Sequence, residues 1–458
     1  MEETKKLSEK CLEINFESLS DEEIDRVKYL FLDYLGVAIR GTLYDSSRPV
    51  FSLIQKLGID SGKAVVIGTD IKTIPTYAAL ANGITAHSPE LDDVVNESSL
   101  HPGVVVFPTA LAAAGMGASK FKDFAPAVVA GYDVINRLAI SLNPDAPYER
   151  GFHPTSTCGT MGSAVTAGMI LSLNHRDIVH ALGIAGSQAS GSMEFLADGA
   201  FTKRFHAGWA AQSGIVAAQL AAEGFTGPQT ILEGKYGFLH SYANVSHPER
   251  ILADWGEPFY ILRTSIKPHS CCRYKQGPID GVLEIMRENQ LEPADIQQIK
   301  IGVLKAGFSL VAEPREQKIN PESIVDAQFS MPFGAAVAAL FGQASLGQYT
   351  MDNVNSDQVR EVMEKVVCVE DASLDLEFPR KWPASVSIST EDGRSYSTRI
   401  DYPKGDPENP LSWEELIEKF KFLVSPVFAE QKAEEIVNGV RSLQEDSDMA
   451  AFSEILSV

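Results

Sequence analysis

The first two-thirds of the chain carries apolar positions at helical spacing. Ile24, Val27, Phe31, Tyr34 and Leu35 fall on one helical face behind Ser20-Asp-Glu-Glu23, a capping-box signature. Further on, the segments Ala110 to Ala118, Met161 to Leu171, Ile184 to Ser192 and Gly208 to Ala222 are dominated by Ala and Gly. Such density lets helix axes approach closely and predicts a compact, multilayered helical core. Interruptions by His, Gln, Asn and Asp set a membrane-helix reading aside. After about Lys267 the period changes. Ile299, Ile301 and Val303 alternate as in a strand, and Val366 to Val369 is a short β-branched run. Val386 and Ile388 alternate before Glu391-Asp-Gly393, with Tyr396, Thr398, Ile400 and Tyr402 after it, a strong hairpin signal. Gly281 to Asn289 and Phe333 to Gln343 read as helices between the strands, and Ser412-Trp-Glu-Glu415 opens a C-terminal helical pair. The expected fold is mainly α: an all-helical domain over 1–267, a smaller α+β unit over 268–403, and helices over 404–458 returning to the helical domain.

At 458 residues the chain is long enough for two or three cores. Hydrophobic content of 44% with 22% charged residues excludes disordered and fibrous classes. A formal charge of −22 argues against nucleic acid and against anionic membranes as partners. The charged start, Met1 to Glu13, has no apolar run, so no secretory leader is expected, and no stretch has the length of a bilayer span. Five scattered cysteines without a CxxC pair fit free thiols in a reducing cytoplasm. An acidic protein that handles anions must gather its few cations locally.

Four clusters do concentrate chemistry. In the first, Ala86-His87-Ser-Pro-Glu90-Leu-Asp92-Asp93 precedes Ser98-Ser-Leu-His101-Pro-Gly103. Its carboxylates and imidazoles suit acid–base work or, less well by spacing, a metal; equally, the acidic residues suit capping of a helix starting near Phe107. The second, Tyr148-Glu-Arg150-Gly-Phe-His153-Pro-Thr-Ser-Thr-Cys158, lies where a loop enters a small-residue helix whose N-terminus can take a carboxylate. There the plain reading is a hydrogen-bonded His153 and a packed Cys158. The third, Thr202-Lys203-Arg204-Phe-His206, is a solvated turn or a buried cation group that needs an anion, for which a substrate carboxylate would serve. The fourth, Lys267-Pro-His269-Ser-Cys271-Cys272-Arg273-Tyr274-Lys275, sits at the domain junction, either an exposed basic linker or an ordered part of a cleft.

In this order the segments AHSPELDD (86–93), HPGVVVFP (101–108), GFHPTSTCG (151–159), FTKRFHAGWAAQSG (201–214) and IKPHSCCRY (266–274) resemble the MmgE/PrpD family, over essentially the whole chain. The resemblance implies a homodimer whose smaller domain is a lid, with neither metal nor organic cofactor. It implies a lyase, dehydratase or decarboxylase, acting on a small 2-methylcitrate- or cis-aconitate-like polycarboxylate; an iminodisuccinate-type epimerase is the alternative and a non-catalytic carboxylate binder the second alternative. Carried over by position, the catalytic residues are Glu90, Asp93, His101, His153, Lys203 and Lys267. Asp92, Tyr148, Arg204, His206, His269, Cys272 and Arg273 are expected to bind substrate. Two departures stand out. Where the family pattern resembles Asp-x-Asp-Asp-Thr this chain has Glu90-Leu-Asp92-Asp93-Val94, and a lid histidine five residues beyond the lysine is replaced by Cys272, with His269 nearby.

Overall fold

A computed structural model describes residues 2–117, 119–378 and 380–458; Ala118, the end of the first small-residue run, lies outside them. The chain divides into one unit that ends at Thr264 and resumes over Ser412–Val458, and a second over Ser265–Leu411. The whole is mainly α.

The first unit is built on helices α1 (Asp21–Gly41), α2 (Pro75–His87), α3 (Gly103–Ala114), α4 (Phe121–Leu142), α5 (Pro154–Ile170) and α6 (Thr202–Ala222). Ser20 and Glu23 close the capping box at the start of α1. All of α3 and nearly all of α5 is buried, as befits helices that are apolar or small around their whole circumference. The small residues are used where backbones touch. A Cβ on Gly83 of α2 would stand 2.6 Å from Gly208 Cα of α6, and one on Gly208 would stand 2.2 Å from the Leu80 carbonyl oxygen. On its other side α6 meets α5, where a Cβ on Gly214 would lie 2.2 Å from Ser163 Oγ. Helix α6 is therefore wedged between α2 and α5 at a spacing that only glycine allows.

Helix α3 starts at Gly103, four residues earlier than the sequence pattern suggested. The reason is local: Pro102 takes the N-cap position, and the Gly103 N–H donates to Asp93 Oδ1 at 3.0 Å.

In the second unit, α7 (Gln276–Glu288) and α8 (Met331–Phe341) accompany strands β1 (Ile296–Val303), β2 (Val366–Glu370), β3 (Ala384–Thr390) and β4 (Ser395–Ile400). The sheet order is β2-β1-β3-β4, with β1 and β2 parallel and the other pairs antiparallel. The Asp-Gly hairpin joins β3 to β4, with Gly393 at φ 84°. Ile299, Ile301, Val386 and Ile388 point into a core shared with Ile279, Val282 and Phe333. Beyond this unit, α9 (Trp413–Val424) and α10 (Glu430–Arg441) belong to the first unit, where Trp413 Nε1 donates to Asp25 Oδ2 at 3.2 Å. Among the described residues no helix is long and apolar enough to cross a membrane.

Substituting Gly208→Ala forces a methyl group against the α2 backbone, and overpacking of this kind costs about 3 kcal/mol. Urea unfolding should show that loss, whereas Gly117→Ala, where nothing lies near the added methyl group and the backbone is not left-handed, should show less than about 1 kcal/mol.

Candidate active site

Three helix ends meet in the first unit: the C-terminus of α2 with the loop after it, the N-terminus of α5, and the first turn of α6. They bring together His87, Glu90, Asp92, Asp93, His101, His153, Lys203 and His206. The rings of His87 and His101 lie 5.3 Å apart, those of His87 and His153 5.8 Å, and those of His153 and His206 5.3 Å. Most of these side chains are buried; His101 and Lys203 keep side-chain exposures of 15% and 12% and so form the reachable part of the group.

The three carboxylates take separate jobs. Glu90 accepts from Lys203 Nζ with both oxygens, at 2.5 and 2.7 Å, from a left-handed backbone conformation at φ 57°. The anion that the buried α6 cation requires is thus a protein carboxylate. Asp92 Oδ2 accepts from His87 Nδ1 at 2.7 Å and lies 3.3 Å from His101 Nδ1. Asp93 turns to the Tyr132 hydroxyl at 2.6 Å and the Gly103 N–H, while its backbone carbonyl accepts from His101 Nδ1 at 2.6 Å. A carbonyl only accepts, so His101 holds its proton on Nδ1, and Nε2 is the nitrogen through which the ring gains and loses a proton. The capping reading of the acidic cluster holds at Asp93, while Asp92 lies against two imidazoles.

Burial dominates the electrostatics. It pushes the Asp93 carboxyl up to about 7, against the opposing pull of the Tyr132 hydroxyl. His153 sits well below the usual imidazole range, first through burial and then through His87, His206, Lys203 and His101. His206 is pushed down to about 4 by burial, His87 and Lys203. His153 and His206 are therefore a neutral pair at pH 7, joined Nδ1 to Nδ1 at 3.1 Å with one ring donating. The plain reading of His153 as a hydrogen-bonded residue describes this contact. Cys158 is fully buried with its thiol raised to about 12, which makes it packing.

The remaining candidates fall as follows. Arg204 is buried on α6. Tyr148 donates its hydroxyl to the Ser99 carbonyl at 2.7 Å, bracing the loop before His101. In the second unit, Lys267, His269 and Arg273 are buried, so this segment is ordered and is no exposed linker. There His269 Nε2 contacts Asp280 Oδ1 at 2.8 Å, Arg273 pairs with Asp406, and the half-buried Cys272 donates its N–H to the Gln328 carbonyl at 3.1 Å. Tyr132 and the Asp33–Lys419 ion pair (2.6 Å), whose lysine also reaches the Leu91 carbonyl at 3.4 Å, were not singled out by the sequence reading. The one available signal was a Tyr-Asp pair inside the apolar run of α4. No group of three or more His, Cys, Asp or Glu side chains among the described residues is arranged to hold a metal ion.

Residues 5–251 match the MmgE/PrpD N-terminal domain and residues 269–445 the MmgE/PrpD C-terminal domain, and the chain belongs to this family. Among its relatives it is 30% identical to the cis-aconitate decarboxylase of Homo sapiens, over 96% of this chain and 91% of the relative. It is 26% identical to the cis-aconitate decarboxylase of Aspergillus terreus (96% and 93% covered) and 21% identical to the 2-methylcitrate dehydratase of Salmonella typhimurium (93% and 91%).

Asp93 gives the site a pH signature. Its folded carboxyl keeps its proton up to about 7, whereas the unfolded one releases it near 3.8. Folding therefore takes up a proton between these values, and the Asp93 contribution to stability falls as pH rises through that window. Asp93→Asn removes the titration. The stability of the variant relative to the parent should increase from pH 4 to 7.5, by up to about 4 kcal/mol; a pH-independent difference in denaturation free energy would contradict this.

Proposed function

We propose that the chain is a lyase acting on a small di- or tricarboxylate by moving a proton at the carbon next to a carboxylate. The observation that carries this reading is the pairing of His101 with Asp92 beside the Lys203–Glu90 bridge, with His101 and Lys203 the partly accessible members. The family relationship supports it, since the relatives named above are decarboxylases and a dehydratase of such acids.

The difficulty common to these reactions is negative charge on carbon, spread into the adjacent carboxylate. In a decarboxylation the electron pair comes from the broken C–C bond, and imidazolium His101 gives its Nε2 proton to the carbon. In a dehydration neutral His101 takes the C–H proton and returns it to the departing hydroxyl, which leaves as water. Asp92 balances the imidazolium in both cases. Lys203 steadies the developing charge, with Glu90 exchanging part of its hold for the substrate carboxylate. His153 and His206, held neutral, act as hydrogen-bonding wall rather than as proton carriers.

A thermal-stabilisation screen over di- and tricarboxylates, followed by mass analysis of the hits in deuterated water, tests the reading. Loss of water or carbon dioxide is expected. Deuterium uptake without a change in formula would instead establish an epimerase, and stabilisation without turnover a carboxylate binder. With a substrate in hand, His101→Asn should lower kcat by about 10²–10⁴ while KM moves less than about threefold. A variant with near-parental kcat would remove His101 from the chemistry.

A further inference from the structure

We infer that His87 is a positioning residue for the reaction, tuning the Asp92–His101 acid–base pair by sharing the Asp92 Oδ2 atom with it. The inference rests on the reading of His101 as the group that exchanges the proton.

His87 ends α2 and is fully buried. Its Nδ1 donates to Asp92 Oδ2 at 2.7 Å, and the opposite nitrogen, Nε2, finds no hydrogen-bonding partner among the described protein groups. A buried imidazole nitrogen left in this way carries a cost that core packing alone does not explain. The return lies at Asp92. His101 Nδ1 addresses the same oxygen from 3.3 Å while its main bond goes to the Asp93 carbonyl. Two imidazoles thus draw on one carboxylate oxygen, and His87 has the shorter bond. Its donated hydrogen bond stabilises the Asp92 anion and weakens the pull that Asp92 exerts on a proton at His101. Asp92 and His101 are in contact, so their protonation is coupled and removal of the His87 donor should raise the pH at which the pair takes up a proton.

The surrounding groups are held by other partners, and the Asp93 carboxyl, pushed up to about 7 by burial, is a second titration present in parent and variants alike. On the same loop, Glu90 is held by Lys203 of α6, and Asp93 by Tyr132 of α4. From α1, Asp33 is paired with Lys419 of α9. His153 at the start of α5 and His206 of α6 bond each other and stay neutral. The tuning therefore falls to His87, and it sets the balance between the imidazolium that a decarboxylation needs and the neutral ring that a dehydration needs.

The test is an NMR titration of ring-labelled histidines in the full-length protein, with His101 assigned through His101→Asn. His87→Leu should move the His101 titration up by about one pH unit. His87→Asn, whose side-chain amide can stand in for Nδ1–H, should stay within about 0.3 units of the parent. His87→Gln, whose amide reaches the Nε2 position instead, should follow Leu and carries the test if the Leu variant does not fold. In kcat/KM profiles the matching limb should move with the titration in Leu and Gln, with KM changed less than about twofold. An unmoved His101 in folded Leu or Gln variants, or an Asn variant that shifts as far as Leu, would overturn the inference. The titration needs no turnover, so it stands apart from the proposed function: a fully active His101→Asn enzyme would sink that reading and leave the coupling measured.

Discussion

The site depends on helix α6 lying in backbone contact with α2 and α5. Gly83 against Gly208, and Gly214 against Ser163, bring the three helix axes closer than any side chain would permit. That closeness carries the end of α2, with His87 and the acidic loop, to the first turn of α6, with Lys203 and His206, and to His153 at the start of α5. Residues more than a hundred positions apart then share one buried group. The packing is expensive in sequence terms, because it fills the helices with residues of little hydrophobic area. The wholly buried α3 and α5 compensate by having no solvent face.

Within that frame, burial does the sorting that residue types alone do not. Three carboxylates stand within four positions, and each is given different work by its partner: a lysine for Glu90, two imidazoles for Asp92, a tyrosine hydroxyl and a helix N-terminus for Asp93. The same burial holds His153 and His206 neutral, while His101 stays partly exposed with Nδ1 bonded to the Asp93 carbonyl and Asp92 close by. The strongly anionic chain also meets its own need for local cations here, although Lys203 already has a carboxylate partner before any substrate arrives.

Much of this was readable from the chain. Strict periodicity and turn chemistry marked α1, the β3–β4 hairpin and the α9 cap, since each rests on a local rule: a capping box, an Asp-Gly turn, an alternation of two. The small-residue runs announced close helix packing but not which glycine meets which. The start of α3 was misplaced because its cap, Asp93, lies ten residues upstream and is linked through space. The division of labour among Glu90, Asp92 and Asp93 was illegible for the same reason, and so was the neutral state of His153: a pKa is set by neighbours that only the fold assembles. Tyr132 looked like one more core aromatic.

A crystal structure with a non-reacting analogue of an accepted polycarboxylate would test the central claim most directly. The account predicts the reacting carbon within about 3.5 Å of His101 Nε2 and one carboxylate against Lys203 Nζ. An analogue bound with neither residue in contact would contradict it.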